Sequence, residues 1–361
     1  MTSLKLLSFD QYFKALAIIP KVASVPSLLG SGYILRHVLG DPKRKRRVQG
    51  RLLCGLTVCD IISSTCSFLS TWPIPADSAG PVWGASGNDA TCSAQGFLVQ
   101  LTVAGSCYNA GLALYYLLAV VHGWSEDRCK KLEPYLHAFP WVYGLTTAIV
   151  GLALGAYHNA TLWCHFGPPF EYEKEMRLGL YYSIVWTACL FNIYCMGSIC
   201  YSIWKTEKAS AKYSRQASTL DTYRQTRLAA VQGFFYCFSF ILTWIFPSVF
   251  RILGFLGKPT NFILLGFVAW FPCFQGMMNF LVFIRPKLVQ RYSSLKSSKD
   301  STKKSKGSAE NAEAGADYLQ DEDKFKNDEL QVVEENSGGI VAGAGADDLK
   351  DEDDNFEDNK L

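Results

Sequence analysis

The chain has 361 residues, 49% of them hydrophobic and only 19% charged, low for a soluble protein of this length. Residues 1–299 carry 28 Lys/Arg against 13 Asp/Glu, and residues 300–361 carry 7 against 19, so a formal net charge of +3 hides a basic body and an acidic tail. That division excludes one uniform soluble domain, and basic residues scattered between long uncharged runs argue against a nucleic-acid binder.

A helix needs about 20 apolar residues to cross roughly 30 Å of hydrocarbon. Five stretches without Asp, Glu, Lys or Arg are long enough: 91–125, 134–170, 178–204, 228–250 and 259–284. Two more, near 12–36 and 49–72, are interrupted by Lys14 and Lys21 and by Arg51 and Asp60. The pattern predicts seven helices, near 12–36, 49–72, 93–121, 138–157, 178–204, 228–254 and 260–285. Strands are not expected, because an open sheet edge cannot sit in lipid. The fold class is an all-α membrane protein, a seven-transmembrane helix bundle. Its expected parts are a short N-terminus (1–11), the membrane domain (12–285), an amphipathic juxtamembrane helix (286–299) and a disordered acidic tail (300–361).

Lys and Arg orient the bundle. Lys43 to Arg47 follow the first helix, Arg128, Lys130 and Lys131 follow the third, six cations lie between Lys205 and Arg227, and Arg285, Lys287 and Arg291 follow the seventh. The alternate loops are nearly bare: 73–91 has none, 158–177 has two and 257–259 has one. By the positive-inside rule the N-terminus is outside and the C-terminus cytoplasmic. No cleavable signal is evident, so the first helix is expected to act as a signal anchor. The sequon Asn159-Ala160-Thr161 falls in a predicted outside loop and marks Asn159 for glycosylation. Of 12 cysteines only Cys92 and Cys164 lie at the outer face, which makes them the natural disulfide pair in an oxidising compartment.

Asp60 lies about nine residues, or roughly 13 Å, along the second helix from Arg51, near mid-membrane. A carboxylate there is costly and by default marks function. Asn279 sits at similar depth in the seventh helix. The two could share a hydrated polar pocket, with or without a cation, or form a structural hydrogen-bond knot. Only Asp60 and Lys21 offer charges for an ion pathway. Gln95, Gln100, Tyr108 and Asn109 on the third helix, Tyr181 and Trp186 on the fifth and Trp244 on the sixth are candidates for an outward-facing ligand cavity, with helix packing as the competing reading. Asp127-Arg128 lies 36 residues beyond Cys92, past the membrane, and reads as a solvated loop pair. The five histidines form no metal-ligand spacing with carboxylates within a span, and no nucleophile elbow or phosphate loop occurs. An enzyme, a metal and a cofactor are not expected.

Beyond Pro286, Leu288, Tyr292 and Leu295 recur at helical spacing among basic residues, which suits a helix on the inner leaflet. The serines from Ser293 to Ser308 are either phosphorylation sites for kinase and arrestin-like regulators or a plain linker. In the tail, Ala314-Gly-Ala-Asp-Tyr-Leu-Gln-Asp-Glu-Asp returns as Ala344-Gly-Ala-Asp-Asp-Leu-Lys-Asp-Glu-Asp, either two acidic docking motifs or a solvating duplication.

Local motifs narrow the class. Thr57-Val58-Cys59-Asp60-Ile61-Ile62-Ser63-Ser64, Cys92-Ser-Ala-Gln95-Gly96-Phe97, Glu133-Pro134 with His137, Trp163-Cys164, Arg177-Leu-Gly-Leu-Tyr181, Trp244, Arg251-Ile252 and Gln275-Gly276-Met-Met-Asn279 occur in this order. Over about residues 50–290 the chain resembles the cyclic-AMP-receptor-like seven-helix receptors of slime moulds and other eukaryotic microbes, distant relatives of the secretin and adhesion receptors. Phe250 departs from an Asn usual there. The resemblance implies a G-protein-coupled receptor in the plasma membrane, with a small extracellular ligand and a cytoplasmic heterotrimeric G protein as partners. Arg44, Arg46, Lys130, Lys131, Arg215 and Arg224 are then candidates for the G-protein face, although a cationic inner face also serves topology alone. The alternatives are a seven-helix solute or ion transporter, against which no internal repeat is seen in the membrane region, and a scaffold for the acidic tail.

Overall fold

The structure is a computed structural model that describes residues 9–78, 82–213, 217–259 and 261–308. Seven helical spans in it are long and apolar enough to cross a membrane. These are α1 (Phe9–Gly40), α2 (Val48–Leu69), α3 (Asp89–Val120), α4 (Glu126–Ala153), α5 (Glu173–Arg177 with Ser183–Tyr213), α6 (Ala217–Phe255) and α7 (Phe262–Trp270 with Gln275–Ser308). Polar residues start several of them: the side chains of Asn88, Ser125 and Asn261 accept hydrogen bonds from the first turns of α3, α4 and α7. Gly155 and Gly257, at φ +59° and +63°, end α4 and α6 in the left-handed region that glycine adopts without cost.

Helix α3 is the central post. It packs on α2, α4, α5 and α6, while α1 closes the ring between α2 and α7. Two thirds of the apolar window of α3 (67%) is buried, against 28% for α4, so α4 lies at the rim with most of its surface toward lipid. Leu52, Leu56, Tyr108, Leu112 and Ile199 fill the centre between α2, α3 and α5.

Several elements differ from the expectation. Helix α4 starts at Glu126, twelve residues before the predicted start, because Ser125 caps a solvated first turn whose charges resemble a loop. Asp127 and Arg128 therefore stand on that turn, with Asp127 paired to Lys130 at 2.7 Å and Arg128 over the Trp124 ring. Helix α5 contains a wide turn at Leu178–Tyr182. Consecutive residues of a regular helix point about 100° apart; the widening lets both Tyr181 and Tyr182 turn inward and be buried. In α7 the missing N–H of Pro272 coincides with a 3₁₀ turn, Pro272–Phe274. Helix α7 then continues through Pro286 to Ser308, so residues 286–299 extend the span and are not a separate helix.

The loop between α4 and α5 forms a two-stranded antiparallel hairpin, β1 (Tyr157–Asn159) and β2 (Cys164–Phe166), pairing Tyr157 with Phe166 and Asn159 with Cys164. No strand was expected; this hairpin plugs one end of the bundle, and all three residues of β2 are buried. Arg215 and the acidic repeats lie outside the described residues, as does the side chain of Arg224.

Candidate functional site

The two ends of the bundle are chemically distinct. At the hairpin end Cys92 of α3 and Cys164 of β2 form a disulfide, with Cα atoms 5.2 Å apart. One turn along α3, Gln95 donates to Cys66 O and Ser70 O of α2 at 3.0 and 2.9 Å and accepts from Cys164 N at 2.8 Å. Gly96 follows because a β-carbon there would sit 2.6 Å from the Tyr157 ring. A second buried chain runs deeper. His165 Nε2 lies 3.0 Å from Gln100 Oε1, and Gln100 Nε2 donates to Thr147 Oγ1 at 3.0 Å. The amide oxygen can only accept, so the imidazole carries its proton on Nε2. Burial, and the positive charges of Arg177 and Arg251, hold His165 well below the usual histidine range, hence neutral.

Two cavities open behind the hairpin. A broad vestibule of about 510 Å³ lies between α1, α6, α7 and the hairpin loop. A smaller chamber of about 60 Å³ continues inward, floored by Tyr181, Tyr182 and Trp244. Trp163, Arg177, Arg251 and Val268 line both and form the throat between them.

Among the seven expected cavity residues, Tyr181 and Trp244 line the chamber. The others are placed elsewhere. Gln95 and Gln100 are engaged as above. Asn109 donates to Gly105 O at 3.4 Å within α3. Trp186 donates to Ser248 Oγ at 3.0 Å and joins α5 to α6. The Tyr108 hydroxyl meets His137 Nδ1 at 2.9 Å, toward the opposite end. The plug residue His165 carries no signal in the sequence; Arg177, at the start of α5, and Arg251, near the end of α6, are cations of the hairpin end that the fold brings to one throat.

Asp60 and Asn279 do meet. Asn279 Nδ2 donates to Asp60 Oδ2 at 2.7 Å, and both side chains are buried. Gly276, one turn away, lets α1 approach: its N–H donates to Ser27 Oγ at 2.9 Å, and Ser64 Oγ donates to the same oxygen at 2.8 Å. Asn279 Oδ1, and Ser31 Oγ of α1 against Gly276, are buried without a partner. Among the described residues no three His, Cys, Asp or Glu converge on a possible metal position. Ser63, one turn from Asp60 along α2, lines the chamber. Lys21, the other pathway candidate, is otherwise employed. Its ammonium donates to Phe68 O and Leu69 O at 3.2 and 2.7 Å and lies 3.7 Å over the Trp72 ring, closing the end of α2.

The opposite end is basic. Arg51 of α2 forms a two-pronged pair with Glu133 of α4, and Glu133 also lies 3.6 Å from His137. Glu126 accepts from Val48 N at 2.6 Å and from the Tyr115 hydroxyl at 3.1 Å, so an α4 carboxylate caps α2 and braces α3. Arg44 pairs with Asp41 at 3.1 Å, Lys130 with Asp127, and Arg46 and Lys131 are exposed at the same end.

No family model and no curated protein matches the chain. Among solved structures, the crystal structure of squid rhodopsin superposes with a TM-score of 0.58, covering 76% of this chain and 77% of that one at 14% identity. The chain has the rhodopsin-like seven-helix fold. It is a multi-pass membrane protein. At that identity the likeness is one of fold, and the throat, the plug and the polar pair of this rhodopsin-like bundle are read from its own side chains.

Proposed function

We propose that the protein is a G-protein-coupled receptor of the plasma membrane, of the cyclic-AMP-receptor-like type, with its hairpin end outside and its basic end toward a cytoplasmic heterotrimeric G protein. The observation that carries this reading is the closeness of the chamber to the Asp60–Asn279 contact: Ser63 lines one and stands one turn from the other. A ligand entering through the vestibule changes how α6 and α7 pack on α2, and that packing is what the partner at the other end detects. Such a ligand shifts the equilibrium only through contacts that differ between two packings. Pro247, which lines the chamber within α6, and the 3₁₀ turn of α7 are the natural places for the change, since both interrupt backbone hydrogen bonding.

The positive-inside distribution supports this orientation, as does a disulfide at the opposite end, which needs an oxidising compartment. Asn159 then carries a glycan on the vestibule rim, where its Oδ1 accepts from Thr161 N at 2.9 Å. The Ser-rich end of α7, from Ser293 to Ser308, serves kinase and arrestin-like regulators. The deciding experiment is paired. In cells co-expressing a heterotrimeric G protein, ligand-dependent guanine-nucleotide exchange that survives deletion of residues 300–361 supports a receptor. Exchange under no ligand, with solute or ion flux in liposomes, supports the transporter instead. Exchange lost with the tail points to a scaffold.

A further inference from the structure

Helix α7 outlasts the bundle. About 20 residues cross roughly 30 Å of hydrocarbon, so a span that begins at Phe262 has crossed it by about Arg285. Phe283 is the last buried residue of α7 among those described, and from Pro286 to Leu295 every described side chain is exposed. The helix runs on to Ser308, so this stretch stands off the end of the bundle. Its Leu288, Val289, Tyr292 and Leu295 recur at helical spacing and are between 52% and 72% exposed. They form an apolar stripe that nothing in the described protein covers.

Lys287 and Arg291 flank the stripe, and the same end carries the exposed cations Lys43, Arg46, Lys131 and Arg227. Among the described residues none of these six forms an ion pair; Lys287 meets only the His37 imidazole, at 2.7 Å. The carboxylates of this end are already engaged: Asp41 with Arg44, Asp127 with Lys130, Glu133 with Arg51 and Glu126 with Val48 N. Like charges gathered at one end repel each other, and an opposite charge brought close relieves them. The chain itself carries that charge. Residues 309–361 hold 18 Asp/Glu against 4 Lys/Arg and follow α7 from this end. Their two acidic copies also contain apolar anchors, Tyr318, Leu319 and Phe325 in the first and Leu349 and Phe356 in the second, which a segment serving solubility alone does not need.

We infer that the α7 stripe and the cations around it are the seat of the chain's own acidic segment, residues 309–361. The leucine and phenylalanine of a repeat rest on Leu288, Val289, Tyr292 and Leu295, and its carboxylates face Lys287, Arg291 and the loop cations. Chain length permits this: Tyr292 lies about 24 Å of helix before Ser308, and the residues from Ser308 to Leu319 span up to about 36 Å. The consequence, that the segment shields the end a G protein approaches, rests on the receptor reading. The seating itself is measured without a G protein, so either can fail alone.

The test is zero-length carbodiimide coupling, which joins a lysine to a carboxylate in contact with it. It uses the full chain, one copy per phosphatidylcholine nanodisc, with the links mapped by peptide mass spectrometry. The expected links run from Lys43, Lys131 or Lys287 to acidic residues of 317–323 or 347–354. They are expected to be lost at about 1 M salt, where the screening length falls to about 3 Å. Two sets of substitutions leave every charge in place. Tyr292→Ser with Leu295→Ser changes only exposed positions, and Leu319→Ser, Phe325→Ser, Leu349→Ser and Phe356→Ser together remove the anchors. Each set is expected to abolish the links to Lys287. Absence of links in the parent overturns the inference, as do links unchanged by salt or by both sets. Links formed only with two copies in one disc assign the seat to a second copy's segment, and links lost on adding phosphatidylserine assign it to lipid; either overturns the inference.

Discussion

Asn279 of α7 donates its amide hydrogen to Asp60 of α2 at 2.7 Å, joining residues 219 positions apart in a buried contact at the middle of the bundle. Its remaining oxygen is unpartnered, so the pair is held by one hydrogen bond and is open to rearrangement. Asp60→Ala strands the amide and is expected to lower stability by about 1–3 kcal/mol. Asp60→Asn keeps an acceptor in place and is expected to stay within about 1 kcal/mol of the parent. Thermal unfolding in detergent separates the two. An Asp60→Ala protein as stable as the parent contradicts the contact.

Gln95 makes three hydrogen bonds that tie α2, α3 and the disulfide strand together. Gln95→Leu keeps the volume but leaves Cys164 N and two α2 carbonyls without it. A loss of about 1–3 kcal/mol is expected from the unpaired amide alone. Removing the bridge itself by Cys92→Ser is expected to cost about 2–4 kcal/mol. Chemical reduction of the parent and the Cys92→Ser variant should then melt alike.

His165 predicts an acid limb in stability. It is neutral in the folded protein, held low by burial and by Arg177 and Arg251. The unfolded chain takes up a proton near pH 6.5, and the folded chain only at lower pH. Stability is therefore full above about pH 6.5 and falls as pH drops through the folded value, by up to about 1.4 kcal/mol per pH unit. His165→Gln still offers a donor to Gln100 and is expected to flatten this limb. An identical limb in parent and variant assigns it to other groups.

Much of this architecture is legible in the sequence. Five uncharged runs and two broken by isolated charges reveal the seven spans because lipid tolerates few charges, and the two cysteines at one face reveal the disulfide because the others lie in spans or at the basic end. Depth counting places Asp60 level with Asn279. What escapes is set by local chemistry that composition masks. The start of α4 is hidden because Glu126, Asp127, Lys130 and Lys131 suit a solvated helix turn as well as a loop. The wide turn in α5 leaves no compositional trace. Gln95 and Gln100 attract attention as polar residues in a span, yet satisfying backbone and histidine groups beneath the hairpin uses them fully. Arg177 and Arg251 stand 74 positions apart and become one site only when α5 and α6 pack side by side.

Lys21 provides a check on the transport alternative. Its ammonium caps the end of α2 and lies over Trp72. Lys21→Met is expected to lower stability by about 0.5–1.5 kcal/mol through the lost hydrogen bonds, with ligand-dependent exchange retained. A selective loss of ion or solute flux at unchanged stability contradicts this placement.

The most direct measurement is guanine-nucleotide exchange on a co-expressed G protein, comparing parent and Asp60→Asn over a panel of small metabolites. The account predicts exchange driven by a ligand in the parent and a changed ligand response in Asp60→Asn at near-parental stability, because Asp60 stands one helical turn from Ser63 in the chamber wall. Exchange that is ligand-driven yet identical in the two proteins contradicts a switch at Asp60, and flux without exchange contradicts the receptor itself.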